Sequence, residues 1–331
     1  MALSRVTSEW IRVLLHGRSA DRPDVKEAVD ITRQRGHYVE VRVSWESGDM
    51  RRLAHEAVEE GVEILVAGGG DGTINEVVRG LFEATEFVNE RPSLGILPLR
   101  TVNAFARSCR IPSDPRCAFE VVCSTEPSPI DVIRSGNRVL VNIAAWGIGP
   151  AMDGATGSQA TEGSRDWHSL NCLCKRTSPK PEQVRLSGPG FEWAGECVLL
   201  AIGNGRELGE GCALCPDALL DDGLIDLTVL PGIPGQEIAA LCQGIRSRGI
   251  QGVEDLLIRA RVPWLEIDFE KEQQIEFDGE SEIQDRFLFE VEERSLRVHL
   301  PEGMLLHRQP NRRTAEIKSF RESSRKPSGS L

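Results

Sequence analysis

The chain has 331 residues, 40% of them hydrophobic and 27% charged, with a formal net charge of −12 at pH 7. That length exceeds what one core usually serves, so two domains are expected, and no apolar run approaches the roughly 20 residues that cross a bilayer. The negative balance argues against a broad nucleic-acid surface and against strong global attraction to anionic lipid, so any membrane contact is expected to be local and transient.

The start, Met1 to Gly17, has little apolar length and carries Arg5, Glu9 and Arg12, unlike a secretory signal; cytoplasm is the expected compartment. Trp10 to His16 reads as a short apolar strand ending at Gly17. Helix-spaced Val25, Ala28, Val29 and Ile31 mark a helix over Asp24 to Arg35, stopped by Gly36. Tyr38 to Ser44 alternates like a strand, and Asp49 to Glu60 turns Leu53, Ala57 and Val58 inward as a helix. Val62 to Ala67 is a buried strand that runs into Gly68-Gly-Gly-Asp-Gly-Thr73 and then a helix through Phe82. Leu94 to Leu99 is another buried strand. Strands separated by helices indicate βαβ units and a parallel sheet. Ligands of such sheets bind beyond the carboxyl ends of the strands, where the Gly68 loop and the Arg100–Ala104 loop both fall.

The glycine loop is the strongest chemical signal. Glycines are expected to allow positive φ and close approach of a ligand. Successive N–H groups, with those of the following helix, then form an anion cradle. The loop keeps one acid, Asp71, for metal or water, but has neither the Lys of a Walker loop nor GxGxxG spacing.

After about Asp131 the pattern becomes strand-rich. Arg138–Trp146, Gln183–Leu186, Glu196–Ile202, Leu224–Leu230, Trp264–Phe269, Gln273–Phe277, Arg286–Glu292 and Leu296–Leu300 read as strands, with one helix over Pro234–Arg246. That indicates an antiparallel sandwich or barrel. Asp153 to Pro181 is polar and carries no clear assignment. The nine cysteines read as reduced thiols. Cys172, Cys174, Cys212 and Cys215 leave open a zinc site or small buried residues. The end of the chain, with Arg308, Arg312, Arg313, Lys318, Arg321, Arg325 and Lys326 among Ser, Pro and Gly, reads as a disordered basic tail, solvated or touching an acidic membrane.

The glycine loop, Leu94-Gly-Ile-Leu-Pro-Leu99, Gly203-Asn-Gly-Arg206, Cys215 to Leu224 with Asp222-Gly-Leu-Ile-Asp226, and Phe277-Asp-Gly-Glu280, in this order, resemble the diacylglycerol-kinase-like lipid kinases, most of all the bacterial YegS lipid kinases. The likeness runs from about Leu14 to Leu305 and fades between Ala151 and Pro181. It implies an α/β nucleotide-binding domain of phosphofructokinase and NAD-kinase type, with a parallel sheet, over 1–133. A C-terminal antiparallel β-sandwich for lipid would occupy 134–300, and the basic tail 309–331, with the chain returning to the first domain at about 300–308. The active site would lie in the cleft between the domains.

Carried over by position, the resemblance implies ATP contacts at Ser44, Gly69, Gly70, Asp71, Gly72, Thr73, Ile74, Asn75 and Thr101, with Glu280 as general base. It also implies a structural divalent-cation site at the Leu219 and Leu224 carbonyls and the Asp222 carboxylate, suited to Mg²⁺ or Ca²⁺. Chemistry agrees: phosphoryl transfer needs positioning and charge stabilisation. Asp71 can hold Mg²⁺ directly or through water, and a carboxylate can take the proton of a hydroxyl acceptor. Without the resemblance, Asp278 and Glu280 read as solvent-facing acids of a turn, and Asp222 as part of a turn signal.

Three positions depart from the family pattern. Arg100 stands at a glycine position, either filling the pocket or pairing with phosphate. Ala104 replaces an acid of the metal–water network, of which Asp131 matches another member. His16 replaces an Asn of the first nucleotide-contacting turn. The expected function is an ATP-dependent lipid kinase acting on a lipid with a free hydroxyl, in transient contact with membrane and with a homodimer left open. A nucleotide-binding regulatory homologue and an NAD- or sugar-kinase-like enzyme are the alternatives.

Overall fold

The computed structural model describes residues 9–100, 103–147, 181–208, 213–232 and 249–304. The first half alternates strand and helix: β1 (Trp10–His16), α1 (Pro23–Gln34), β2 (Tyr38–Ser44), α2 (Asp49–Glu59), β3 (Ile64–Gly69), α3 (Asp71–Ala84) and β4 (Ser93–Pro98). The strands pair in parallel in the order β2-β1-β3-β4. β1, β3 and β4 are buried almost throughout and mostly apolar because helices cover both faces, as parallel sheets require; Arg12 of β1 is buried in ion pairs with Glu40 and Glu60. Two further helices follow, α4 (Ala104–Ser108) and α5 (Pro115–Ser124). α5 starts on a Pro after Asp114, whose side chain accepts the Cys117 N–H at 2.9 Å.

The register sets the site. His16 pairs with Ser44, Leu15 with Gly68, and Gly69 with Pro98, so the carboxyl ends of all four strands finish side by side.

The second half is antiparallel: β5 (Ser128–Ser135), β6 (Arg138–Leu140), β7 (Ile143–Trp146), β8 (Glu182–Gly188), β9 (Phe191–Gly203), β10 (Ile225–Pro231), β11 (Ile258–Val262), β12 (Trp264–Phe277) and β13 (Glu280–Val298). Its core sets a cluster of aromatic rings among aliphatic side chains, with Phe277 and Phe289 stacked at 5.5 Å and Trp146 tilted against Phe269. β13 belongs to both halves. Its end pairs in parallel with β4 at Val298–Leu94, and Leu296, Val298 and Leu300 are buried in the first core.

Some expected elements change. The single strand expected over Arg138–Trp146 divides into β6 and β7, because the intervening backbone turns its N–H groups onto a buried carboxylate. The two segments expected in β12 form one strand with a register shift between Asp268 and Gln273. The two expected in β13 join across an irregularity between Glu292 and Leu296, where Arg294 has φ 51°. β5, β11 and α5 have no counterpart in the sequence reading. The helix expected over Pro234–Arg246 and the Asp153–Pro181 segment lie largely or wholly outside the described residues.

Candidate active site

β3 ends at Gly69, Gly70 is extended (φ −109°, ψ −169°), and α3 begins at Asp71. The expectation that these glycines supply positive φ is not met; none of Gly68, Gly69, Gly70 or Gly72 has it. Close packing is the reason instead. A Cβ on Gly69 would run into the Thr73 side chain, which is buried under the turn. Gly72 is different: a Cβ there would meet nothing within 4 Å. The first turn of a helix leaves N–H groups without intrahelical partners, and no side chain caps α3 at Gly70. The open end of α3 is therefore a set of amide donors at the positive end of the helix dipole.

Asp71 is already engaged. Its Oδ2 accepts the Ala104 N–H at 2.8 Å and its Oδ1 accepts the Phe105 N–H at 3.0 Å, so the carboxylate holds the first turn of α4 against α3. A carboxylate is the kind of oxygen donor that a hydrated Mg²⁺ takes, so Asp71 fits that role by its chemistry. The replacement at Ala104 leaves this clamp intact, since it uses the backbone.

On the other flank, burial, then Arg100 and Arg18, lower the His16 imidazole below its ordinary range. Two guanidiniums thus stand at the strand end beside the glycine loop. Ser44, paired with His16 across the β1–β2 ladder, is buried. Ile74 sends its side chain into the first core, which leaves only its backbone for a ligand. Thr101 lies outside the described residues.

Asn75, the last residue of the expected nucleotide segment, turns its side chain away from the loop. Its side chain is buried and faces the second half of the molecule, donating to the Val139 carbonyl at 2.8 Å and to Asp278 Oδ2 at 3.3 Å. Asp278 and Gly279 form the two-residue link between β12 and β13, both with positive φ (46° and 95°) and with Phe277 paired to Glu280. That is the backbone habit of type I′ hairpins, which Asp-Gly favours.

Asp278, read from sequence as a solvent-facing acid, is buried instead. Its carboxylate accepts N–H bonds from Val141 (2.8 Å), Asn142 (3.2 Å) and Ile143 (2.9 Å). Burial pushes it up to about 6 against those three amides, with Asp71 adding to the rise.

Glu280 opens β13 and is partly exposed. Its Oε2 takes Arg79 Nη1 of α3 at 2.5 Å and also pairs with the Arg138 guanidinium of β6. Burial, then Glu280 itself, raise Glu76, which sits one helical turn before Arg79. α3 thus links the two ends of the site. It presents its uncapped first turn at Asp71 to Thr73, meets the hairpin at Asn75, and meets the expected base at Arg79, about 12 Å along the helix.

Of the cation site expected at Leu219, Asp222 and Leu224, the carboxylate is otherwise engaged. Asp222 Oδ1 accepts the Leu224 N–H at 3.1 Å, and Oδ2 is paired with the Arg261 guanidinium. A divalent cation on that carboxylate would stand beside a fixed positive charge, so the residues do not fit it. Asp131, expected in the phosphate network, belongs here instead. It accepts the N–H groups of Gly223 (2.8 Å) and Arg294 (2.7 Å). Cys215 is buried, and its thiol donates to the Asp226 carbonyl at 3.2 Å. Cys172, Cys174 and Cys212 are outside the described residues.

Sequence reasoning passed over Arg79 and Arg138, and assigned Asp278 to solvent. The Asp-Gly pair between β-like runs announced the hairpin, and so the exact pairing of Glu280. Nothing local announced the two arginines.

Comparison with known proteins follows these landmarks. Residues 11–135 match the family description "Diacylglycerol kinase catalytic domain", and residues 169–300 match "YegS C-terminal NAD kinase beta sandwich-like domain". A Stenotrophomonas maltophilia protein named "Probable lipid kinase YegS-like" is 38% identical over 306 residues, 90% of this chain and 97% of that one. A Pseudomonas aeruginosa protein of the same name is 39% identical over 305 residues, 91% and 98% of the two chains. Two solved chains from Bacillus anthracis share the fold. One superposes with a TM-score of 0.76 at 21% identity, covering 89% of this chain and 98% of its own. The other, a diacylglycerol kinase by its description, gives 0.66 at 20%, covering 89% and 97%.

Proposed function

The chain belongs to the YegS-like lipid kinases, and on that footing we propose that it moves the γ-phosphate of ATP to the hydroxyl of a lipid, using Glu280 as the base. The carrying observation is that one helix, α3, joins the amide cradle at Asp71–Thr73 to the hairpin that holds Glu280. In this reading the amides of Gly70 to Thr73 hold the phosphates, and the Arg100 guanidinium adds positive charge at the same strand ends. Asp71 is the residue that would hold Mg²⁺ accompanying ATP, and the ion would supply neutralisation of phosphate charge.

The lipid hydroxyl approaches Glu280, whose contacts with Arg79 and Arg138 both fall on Oε2, so Oε1 faces the proton to be taken. As that proton moves to the carboxylate, the hydroxyl oxygen bonds to the γ-phosphorus and the bond to the β–γ bridging oxygen breaks. Phosphorylated lipid and ADP are the products. In this reading the nucleotide sits on the first half of the chain and the lipid tail along the apolar strands of the second.

The test is direct: pure protein, labelled ATP and Mg²⁺ are incubated with a total lipid extract, and labelled lipid is sought. Transfer that Glu280→Gln abolishes supports the proposal. The engagement of Glu280 by two guanidiniums favours one second reading, a homologue that binds nucleotide without transferring it. ATP binding with no labelled product from any extracted lipid would establish that instead.

A further inference from the structure

We infer that in this chain the Arg261 guanidinium takes the place of the divalent cation at the 219–224 loop, so that the loop is held without metal. Arg261 is a cross-strand partner of Asp226 in the antiparallel β10–β11 ladder, which fixes its position through backbone register. From there Nε reaches Asp226 Oδ2 at 3.1 Å, and Nη2 reaches Asp222 Oδ2. One planar group with several donors thus bridges two carboxylates, a geometry that guanidinium provides and a lysine ammonium does not.

Several neighbouring oxygens are also committed. Asp222 Oδ1 takes the Leu224 N–H, both oxygens of Asp131 take backbone N–H groups, and the Leu220 carbonyl accepts the Asp131 N–H at 2.6 Å. The Asp222 and Asp226 side chains are only 14% and 10% exposed, so water alone would compensate their charge poorly. The function a hard cation would serve, tying loop oxygens together, is performed by a side chain.

The experiment follows thermal unfolding of the nucleotide-free full chain at neutral pH, in EDTA and across a titration of Ca²⁺ or Mg²⁺. For the wild type the midpoint should be the same in EDTA and in millimolar cation. Arg261→Gln should melt lower in EDTA and recover part of the loss as Ca²⁺ or Mg²⁺ is added, because two buried carboxylates then lack a counter-charge. Adding Asp222→Asn to Arg261→Gln should remove that recovery.

A wild-type midpoint that falls in EDTA and is restored by cation, in a manner abolished by Asp222→Asn, would overturn the inference. So would an Arg261→Gln protein as stable in EDTA as the wild type. Should Arg261→Gln fail to fold, Mn²⁺ binding by equilibrium dialysis on the nucleotide-free wild type decides. Equal binding by wild type and Asp222→Asn upholds the inference, and a site lost in Asp222→Asn refutes it.

Discussion

Adding one methyl group at Gly72 separates what the glycine loop owes to packing from what it owes to a ligand. Gly72 lies in the first turn of α3, without positive φ, and a Cβ there would touch nothing within 4 Å. Gly72→Ala should therefore stabilise the free protein by about 0.5–1 kcal/mol, the usual gain for alanine over glycine in a helix. In a chain of this size that is a rise of about 1 °C in melting temperature. If a triphosphate docks on these amides, however, the methyl stands where its oxygens approach. Losing one charge-assisted hydrogen bond costs about 1.5–3 kcal/mol, or roughly 10- to 150-fold in ATP affinity. Calorimetric titration with a non-hydrolysable ATP analogue and a melting curve on the same sample read both quantities. Gly69→Ala is the contrast, since its methyl collides with Thr73 and should lower stability before any ligand is added. Unchanged affinity in Gly72→Ala would refute the placement of phosphate at this turn.

Glu280→Gln should nearly abolish phosphate transfer while leaving ATP affinity within about threefold of wild type, as expected when a general base is lost; rate and titration measurements check it. Asp278→Ala orphans the amides of Val141, Asn142 and Ile143, at roughly 1–3 kcal/mol each, so denaturant unfolding should show a loss of at least about 3 kcal/mol. Burial against Arg261 leaves Asp226 up at about 6, above its unfolded value of 3.8. The folded state then holds the proton more tightly, so this group's contribution is present at low pH and declines as pH rises from about 4 to about 6, by about 3 kcal/mol. Stability–pH curves for wild type and Asp226→Asn should therefore converge or cross over that window; a constant offset would contradict it. Arg138→Gln, which frees one side of Glu280, should change the turnover rate far more than the ATP KM, measured by steady-state kinetics.

The first half of the molecule was legible because its signals are local. β1 and β2 begin and end where the apolar runs Trp10–His16 and Tyr38–Ser44 do, and the helices follow their 3.6-residue stripes. The second half resisted wherever a strand is irregular. The exposed Glu270–Glu272 run hides the continuity of β12, and the left-handed Arg294 hides that of β13. The break between β6 and β7 is caused by a carboxylate 136 residues away, which no window of sequence contains. The site divided in the same way. The glycine loop, Asp71 and Glu280 stand in recognisable strings, whereas Arg79, Arg138 and the Arg261 bridge exist only through long-range pairing. Asn75 looked like part of the loop because it follows it, yet one helical turn carries its amide over to the hairpin.

β13 runs for 19 residues, roughly 60 Å of extended chain, from Glu280 at one end to its junction with β4 at the other. Along the way it is laddered to β12 and to β5. Its first stretch hangs on β12 and its last on β5, with the change of partner at Glu290. Rotation of one half against the other must therefore bend the strand near that handover, and on the proposed reading the Glu280 tip travels with the β12 ladder.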